Sequence, residues 1–292
     1  MPVSWTPRAP LSAGDKKIKP FDGCVVVGAA LSGALFFSAS PLFAQILAQT
    51  ARQGTPGSWQ ISVYYQGVSD QDLSFNLSGG SSVCQGKGGL ATFACGQSGA
   101  LSVHGNGDAG LIKAVYQPWG GFQYSAAVGA GYYSLSVPST GATQNYSGSG
   151  AGPVFSLGVQ DVIFPDTIVT PAVAINAGFS GAMYPLDQMN DSAGNVSAVN
   201  DTLTLLEYQL GVEVSHVFPL DGWKVEPYGG IRWYRVDADL KDATVGSHSG
   251  GFRDTLAPVV GLRIPTADHE GLFAEAAYVE GFQYGGGLSL RF

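Results

Sequence analysis

From Trp59 to the C-terminus the chain alternates apolar and polar residues with period two, the repeat of a strand with one apolar face. Trp59, Ile61, Val63 and Tyr65 alternate with Gln60, Ser62, Tyr64 and Gln66. Phe122, Tyr124, Ala126, Val128 and Tyr132 alternate with Gln123, Ser125, Ala127, Gly129 and Gly131. Leu206, Tyr208, Leu210, Val212 and Val214 alternate with Glu207, Gln209, Gly211, Glu213 and Ser215. The pattern predicts ten strands, at 59–67, 109–117, 122–136, 153–163, 168–182, 203–218, 223–236, 253–264, 271–280 and 282–292. Short turns at 118–121, 164–167, 219–222 and 265–270 separate long polar links at 68–108, 137–152, 183–202 and 237–252, and the link at Gly281 is tight. Leu73, Phe75 and Leu77 alternate too, as do Leu101 and Val103, inside the first long link. They are either the protruding ends of the first hairpin or two further strands, which would make twelve; eight is the other alternative. The parity of Leu101 and Val103 differs from that of Ile112, Ala114 and Tyr116, which predicts a break or turn at 105–108.

Composition selects the medium. The chain is 45% hydrophobic and only 12% charged, against about 25% charged for a soluble domain. Beyond the N-terminal region no apolar run approaches the ~20 residues of a membrane helix, which leaves the closed barrel as the structure that satisfies every backbone group in lipid. The charges carry the same message. Lys113, Glu207, Glu213, Lys224, Glu226, Arg232, Arg263, Glu275 and Arg291 all share the parity opposite to the apolar residues of their strands. An Arg or Lys at the lipid midplane costs about 2–4 kcal/mol, so these side chains are expected to point inward and pair. The fold class expected is therefore all-β: a closed antiparallel up-and-down transmembrane β-barrel of ten strands. Short turns then lie on the periplasmic side and the long links are extracellular loops. At that size Tyr64, Tyr133, Tyr228, Tyr234 and the inward charges should largely fill the lumen, although inward glycines at 129, 131, 158, 178, 211, 230 and 261 leave space for a narrow passage.

The N-terminus reads as a cleaved signal peptide over residues 1–44. Arg8, Lys16, Lys17 and Lys19 precede an apolar stretch from Cys24 to Phe37, followed by small residues and Pro41 up to Ala44. Residues 45–57 read as a short periplasmic leader and 58–292 as the barrel. Setting aside Arg8, Lys16, Lys17, Lys19, Asp15 and Asp22 leaves 10 Lys+Arg against 20 Asp+Glu, a net charge of −10. Such a surface disfavours nucleic acid. Cys84 and Cys95 form an even pair in an exported chain, which suggests a disulfide closing a surface loop.

The last residues, Tyr284-Gly-Gly-Gly-Leu288-Ser-Leu290-Arg-Phe292, resemble the C-terminal strand of bacterial outer-membrane proteins. The resemblance implies a small Gram-negative outer-membrane barrel. It also implies that Tyr284, Leu288, Leu290 and Phe292 face lipid and form the signal read by the barrel-assembly machinery, with the final strand closing against the first. No family-specific functional motif accompanies it.

Candidate chemistry is sparse. His248 lies between Asp242 and Asp254 with Ser247 and Ser249 beside it, the residue types of a rim hydrolase. In a Ser- and Asp-rich loop that proximity in sequence is weak evidence. His104, His216 and His269 adjoin turns. Asp237, Asp239 and Asp242 form the most acidic stretch, but a Ca²⁺-binding loop starting at Asp237 would need Gly where Asp242 stands and Glu where His248 stands. No metal, cofactor or catalytic residue is expected, and the chain reads as a non-enzymatic barrel. Its expected partners are outer-membrane lipid, the assembly machinery and an unidentified extracellular partner. Its expected role is a structural or adhesin-like surface scaffold; the alternatives are a narrow passive channel for small solutes and a rim hydrolase acting on lipid or peptide.

Overall fold

The computed structural model describes residues 51, 55–77, 99–139, 142–148, 150–190, 194–220, 223–242, 246–266 and 270–292. Residues 1–44 and both loop cysteines, Cys84 and Cys95, lie outside them. Twelve strands form: β1 (Trp59–Leu77), β2 (Gly99–Tyr116), β3 (Phe122–Ser139), β4 (Ala142–Ser147), β5 (Gly152–Phe164), β6 (Ala172–Asn190), β7 (Val196–Ser215), β8 (Phe218–Leu220), β9 (Trp223–Asp242), β10 (Gly246–Pro265), β11 (Glu270–Tyr278) and β12 (Phe282–Arg291). All pairings are antiparallel, and β12 closes on β1 in the register Gln60↔Arg291 to Ser69↔Phe282. The main ring has ten strands, in the order β1-β2-β3-β5-β6-β7-β9-β10-β11-β12, while β8 is a short flap on β9. Ten is the number the alternation predicts.

The ring is not ten strands throughout. The β11–β12 hairpin is short and turns at Val279–Gly281. Above it β1 pairs directly with β10, Ser74↔Gly251 and Phe75↔Gly250. On the opposite side β4 carries on where β5 stops, pairing with β3 and β6. The ring at the long-loop end is therefore β1-β2-β3-β4-β6-β7-β9-β10. The barrel tapers from ten strands to eight, the size at which side chains fill the interior.

Two bulges flank the hairpin tip, between Val68 and Gln71 on β1 and between Phe252 and Thr255 on β10. Bulges let a strand bend and twist, which is what β1 and β10 need to pass around the tip and meet. Asp70, Asp254 and Glu280 adopt positive φ at this junction (53°, 56° and 48°), a conformation that short polar residues such as Asp tolerate better than most. The tip is fastened to both neighbours. The Asp72 amide donates to the Glu280 carbonyl at 2.7 Å, and the Thr255 hydroxyl to Glu280 Oε1 at 3.0 Å.

The links predicted as long extracellular loops at 68–108, 137–152, 183–202 and 237–252 are in large part strand. Leu73–Leu77 and Leu101–Val103 are protruding ends of the first hairpin, paired Leu73↔Val103 and Phe75↔Leu101. The break expected at 105–108 is absent, because β2 runs unbroken from Gly99 to Tyr116. The predicted 203–218 segment ends at Ser215, and the 168–182 segment begins at Ala172 and continues to Asn190.

Candidate functional site

In the ten-stranded half, apolar side chains point out. Val128 is 64% exposed, Leu210 57% and Ile231 60%, with Ile61, Val63, Ile112, Leu157, Leu256, Leu288 and Leu290 on the same face. Inward lie Ser62, Gln66, Lys113, Ser156, Asn176, Gln209, Glu213, Glu226, Arg232 and Glu275, all buried. In the eight-stranded half the faces exchange. Asp70, Asp72, Ser74 and Asn76 point out from β1, whereas Leu73 and Phe75 point in. On β9, Arg235, Asp237, Asp239 and Lys241 point out, whereas Val236, Ala238 and Leu240 point in. The inward residues of this half form one apolar core, with Val103, Leu135, Val137, Tyr146, Tyr184, Leu186, Leu203 and Leu205 among its members.

The inward charges of the lower half form a network that crosses the lumen. Arg232 on β9 bridges Glu275 on β11 (Nη1–Oε1 2.7 Å) and Glu213 on β7 (Nη2–Oε2 3.0 Å). The Tyr228 hydroxyl donates to Glu275 Oε2 at 3.0 Å. Arg263 Nη1 reaches Glu226 Oε2 at 3.4 Å, and Glu226 accepts from the Ser215 hydroxyl at 3.2 Å. Lys113, from β2 across the barrel, lies within electrostatic range of Glu275, Glu213 and Arg232. Glu207 is 1% exposed, and neither of its oxygens has a hydrogen-bond partner among the described residues. Lys224 departs from the expected set. It is exposed at the short-turn mouth of the barrel, where β9 begins and pairs with β8. Arg291 also sits at that mouth, half-buried, 3.4 Å from Gln60 Oε1.

Gly129, Gly211 and Gly261 do not leave the space expected of them. The Tyr228 ring lies over Gly261 and the Tyr133 ring over Gly105, so that a Cβ at either glycine would fall inside the ring. Gly129 likewise receives Leu111, and Gly211 receives Arg232 and Asn176. Glycine here makes room for a large neighbour rather than for water, and Tyr133 goes on to stack on Tyr184 at 5.5 Å.

His248 does not join a Ser–His–Asp cluster. Its ring is buried inside the barrel, Ser247 and Ser249 point the other way, and Asp254 accepts instead from the Trp233 indole at 3.2 Å. His269 lies outside the described residues. His104 and His216 each have an acidic partner, Asp72 at 2.6 Å on the outer surface of the eight-stranded half and Asp166 at 2.7 Å at the short-turn rim. Neither carboxylate was legible in the sequence, since Asp166 stands 50 residues from His216. Asp237 and Asp239 share the outer face of β9, and no group of three metal-ligating side chains occurs among the described residues.

No protein-family model matches the chain, and no curated protein matches it. Among solved structures it is similar to the translocator domain of the autotransporter NalP from Neisseria meningitidis (13% identity, TM-score 0.43, covering 82% of this chain and 89% of that one). It is similar to the outer-membrane protease OmpT from Escherichia coli (10% identity, TM-score 0.45, 84% and 99% covered). It is also similar to the outer-membrane protein OprG from Pseudomonas aeruginosa (9% identity, TM-score 0.36, 84% and 99% covered). The appearance of a protease in this set corrects the expectation of a non-enzymatic chain, because a barrel fold of this kind does not exclude an enzyme. Within the ten-stranded half, the closed antiparallel sheet, the outward apolar band and the polar interior are the architecture of a transmembrane β-barrel.

Proposed function

We propose that this protein is a membrane-anchored scaffold that presents a solid, water-exposed cap and its loops at the cell surface. The observation that carries this reading is the apolar core filling the eight-stranded half of the lumen. A conduit for polar solutes needs hydrated walls, yet Leu73, Phe75, Leu135, Leu186 and Leu203 meet inside the barrel with essentially no exposed surface. The charge network below adds a second obstruction, because ions passing it would have to part Arg232 from Glu213 and Glu275. The passive-channel reading is weaker for both reasons. The test is single-channel recording of the purified barrel in planar bilayers. No conductance steps above the bare bilayer are expected; reproducible unitary steps that scale with salt would overturn the scaffold reading.

The outward parity of the C-terminal strand supports the further proposal that it carries an assembly signal. Leu288, Leu290 and Phe292 face outward, Ser289 is buried, and the Phe292 amide donates to the Trp59 carbonyl at 2.8 Å. Deleting Phe292 should lower the outer-membrane yield without reducing export across the inner membrane, which fractionated pulse-chase labelling would read.

A further inference from the structure

We infer that the lipid-facing wall carries a seat for one phospholipid acyl chain at the periplasmic leaflet. A trough of about 660 Å³ runs across the outer face of β1, β2, β3, β5 and β6, within the about 300–1,000 Å³ range of ligand pockets. The strand register explains it. One lateral row reads Ile61↔Ala114↔Ala126↔Leu157, so two methyl groups stand side by side between two large side chains. The next row toward the periplasm reads Trp59↔Tyr116↔Tyr124, with Trp59 and Tyr116 stacked at 4.7 Å. The trough is thus an alanine floor opening beneath an aromatic collar.

The occupant follows from the chemistry of each end. The floor faces hydrocarbon, where an acyl chain is the available filler, and an unfilled gap forfeits dispersion contacts. The collar contributes an indole N–H and two phenolic hydroxyls at the strand ends, the depth at which amphipathic aromatics meet headgroups. Those ends lie on the short-turn, periplasmic side, so the chain comes from the phospholipid leaflet. A second copy of this protein is a poorer fit. A two-fold interface places the same patch against itself, so trough would face trough and leave a void.

The test is native mass spectrometry of the barrel released from detergent after incubation with dipalmitoyl phosphatidylethanolamine. One retained phospholipid per barrel is expected for the wild type. At least tenfold less is expected for Ala114→Phe/Ala126→Phe, whose rings fill the floor, with folding checked by the heat-dependent gel shift. Ala126→Val intrudes less and should fall between the two, which keeps the test decisive if the double variant fails to fold. Wild type that retains no phospholipid, equal retention by all three forms, retention of lipopolysaccharide in its place, or a dimer that excludes lipid would each overturn the assignment.

Discussion

The ten-stranded half and the eight-stranded half of the barrel use the same strands with opposite faces. In the first, Leu210 and Val212 of β7 meet lipid while Gln209 and Glu213 meet the lumen; in the second, Thr202 and Thr204 meet water while Leu203 and Leu205 meet each other. The backbone is continuous, so the exchange is not a property of strand geometry. It follows from what lies outside. Where hydrocarbon surrounds the sheet, apolar residues gain nothing by turning inward, and the polar ones have only the lumen left to them. Where water surrounds it, burial of apolar area again drives packing, at about 25 cal/mol per Å², and the barrel acquires the core of a soluble protein. The lower half is held by hydrogen-bonded charge, the upper half by hydrophobic contact.

That contrast can be broken most severely at Arg232. Arg232→Ala leaves Glu213 and Glu275 buried without their shared cation, and a loss of about 3–5 kcal/mol is expected, measured by urea unfolding in lipid vesicles. Combining Arg232→Met with Glu213→Gln and Glu275→Gln should recover most of it, since the three neutral residues leave no stranded charge. The next comparison places one substitution on the same outward parity in both halves. Leu210→Arg should cost about 2–4 kcal/mol, whereas Asp239→Arg, on the water-facing half, should stay within about 0.5 kcal/mol of wild type; equal effects would show that lipid does not end at the taper. Glu207→Leu acts in the opposite direction. Replacing a buried carboxyl that has no hydrogen-bond partner by an apolar side chain should stabilise the barrel by about 1–3 kcal/mol, read in the same unfolding assay. The smallest effect is expected at the junction itself, where Thr255→Ala removes one hydrogen bond to Glu280 and should cost about 0.5–1.5 kcal/mol.

Much of the lower half was legible in the sequence, because lipid enforces strict alternation and penalises any charge on the wrong parity. The inward placement of Lys113, Glu213, Arg232 and Glu275 follows from that rule alone. The upper half was visible but misread. Leu101 and Val103 change parity relative to Ile112 because the medium outside β2 changes, and a parity change with an unbroken strand looks the same in sequence as a turn. In β1 the reverse occurs. Trp59, Ile61, Val63, Leu73 and Phe75 keep one parity throughout, yet the bulge before Gln71 turns the last two inward, since one extra residue flips every side chain beyond it. The pairing of Arg232 with both Glu213 and Glu275 depends on which strands are neighbours across the lumen, and no period in the sequence encodes it. Lys224 was misplaced because parity says which way a side chain points but not how near the mouth it stands.

The taper also sets one seam apart from the others. The eight-stranded ring closes through Ser74↔Gly251 and Phe75↔Gly250, and contacts so distant along the chain cost the entropy of the intervening loop before they return anything. The two edges stand within reach because the β11–β12 hairpin fills the gap below them, and its Glu280 turn is hydrogen-bonded to Asp72 on one edge and Thr255 on the other. An unpaired β1 or β10 edge would be open to pairing with another chain, so the turn that spans them acts as a clasp on the seam.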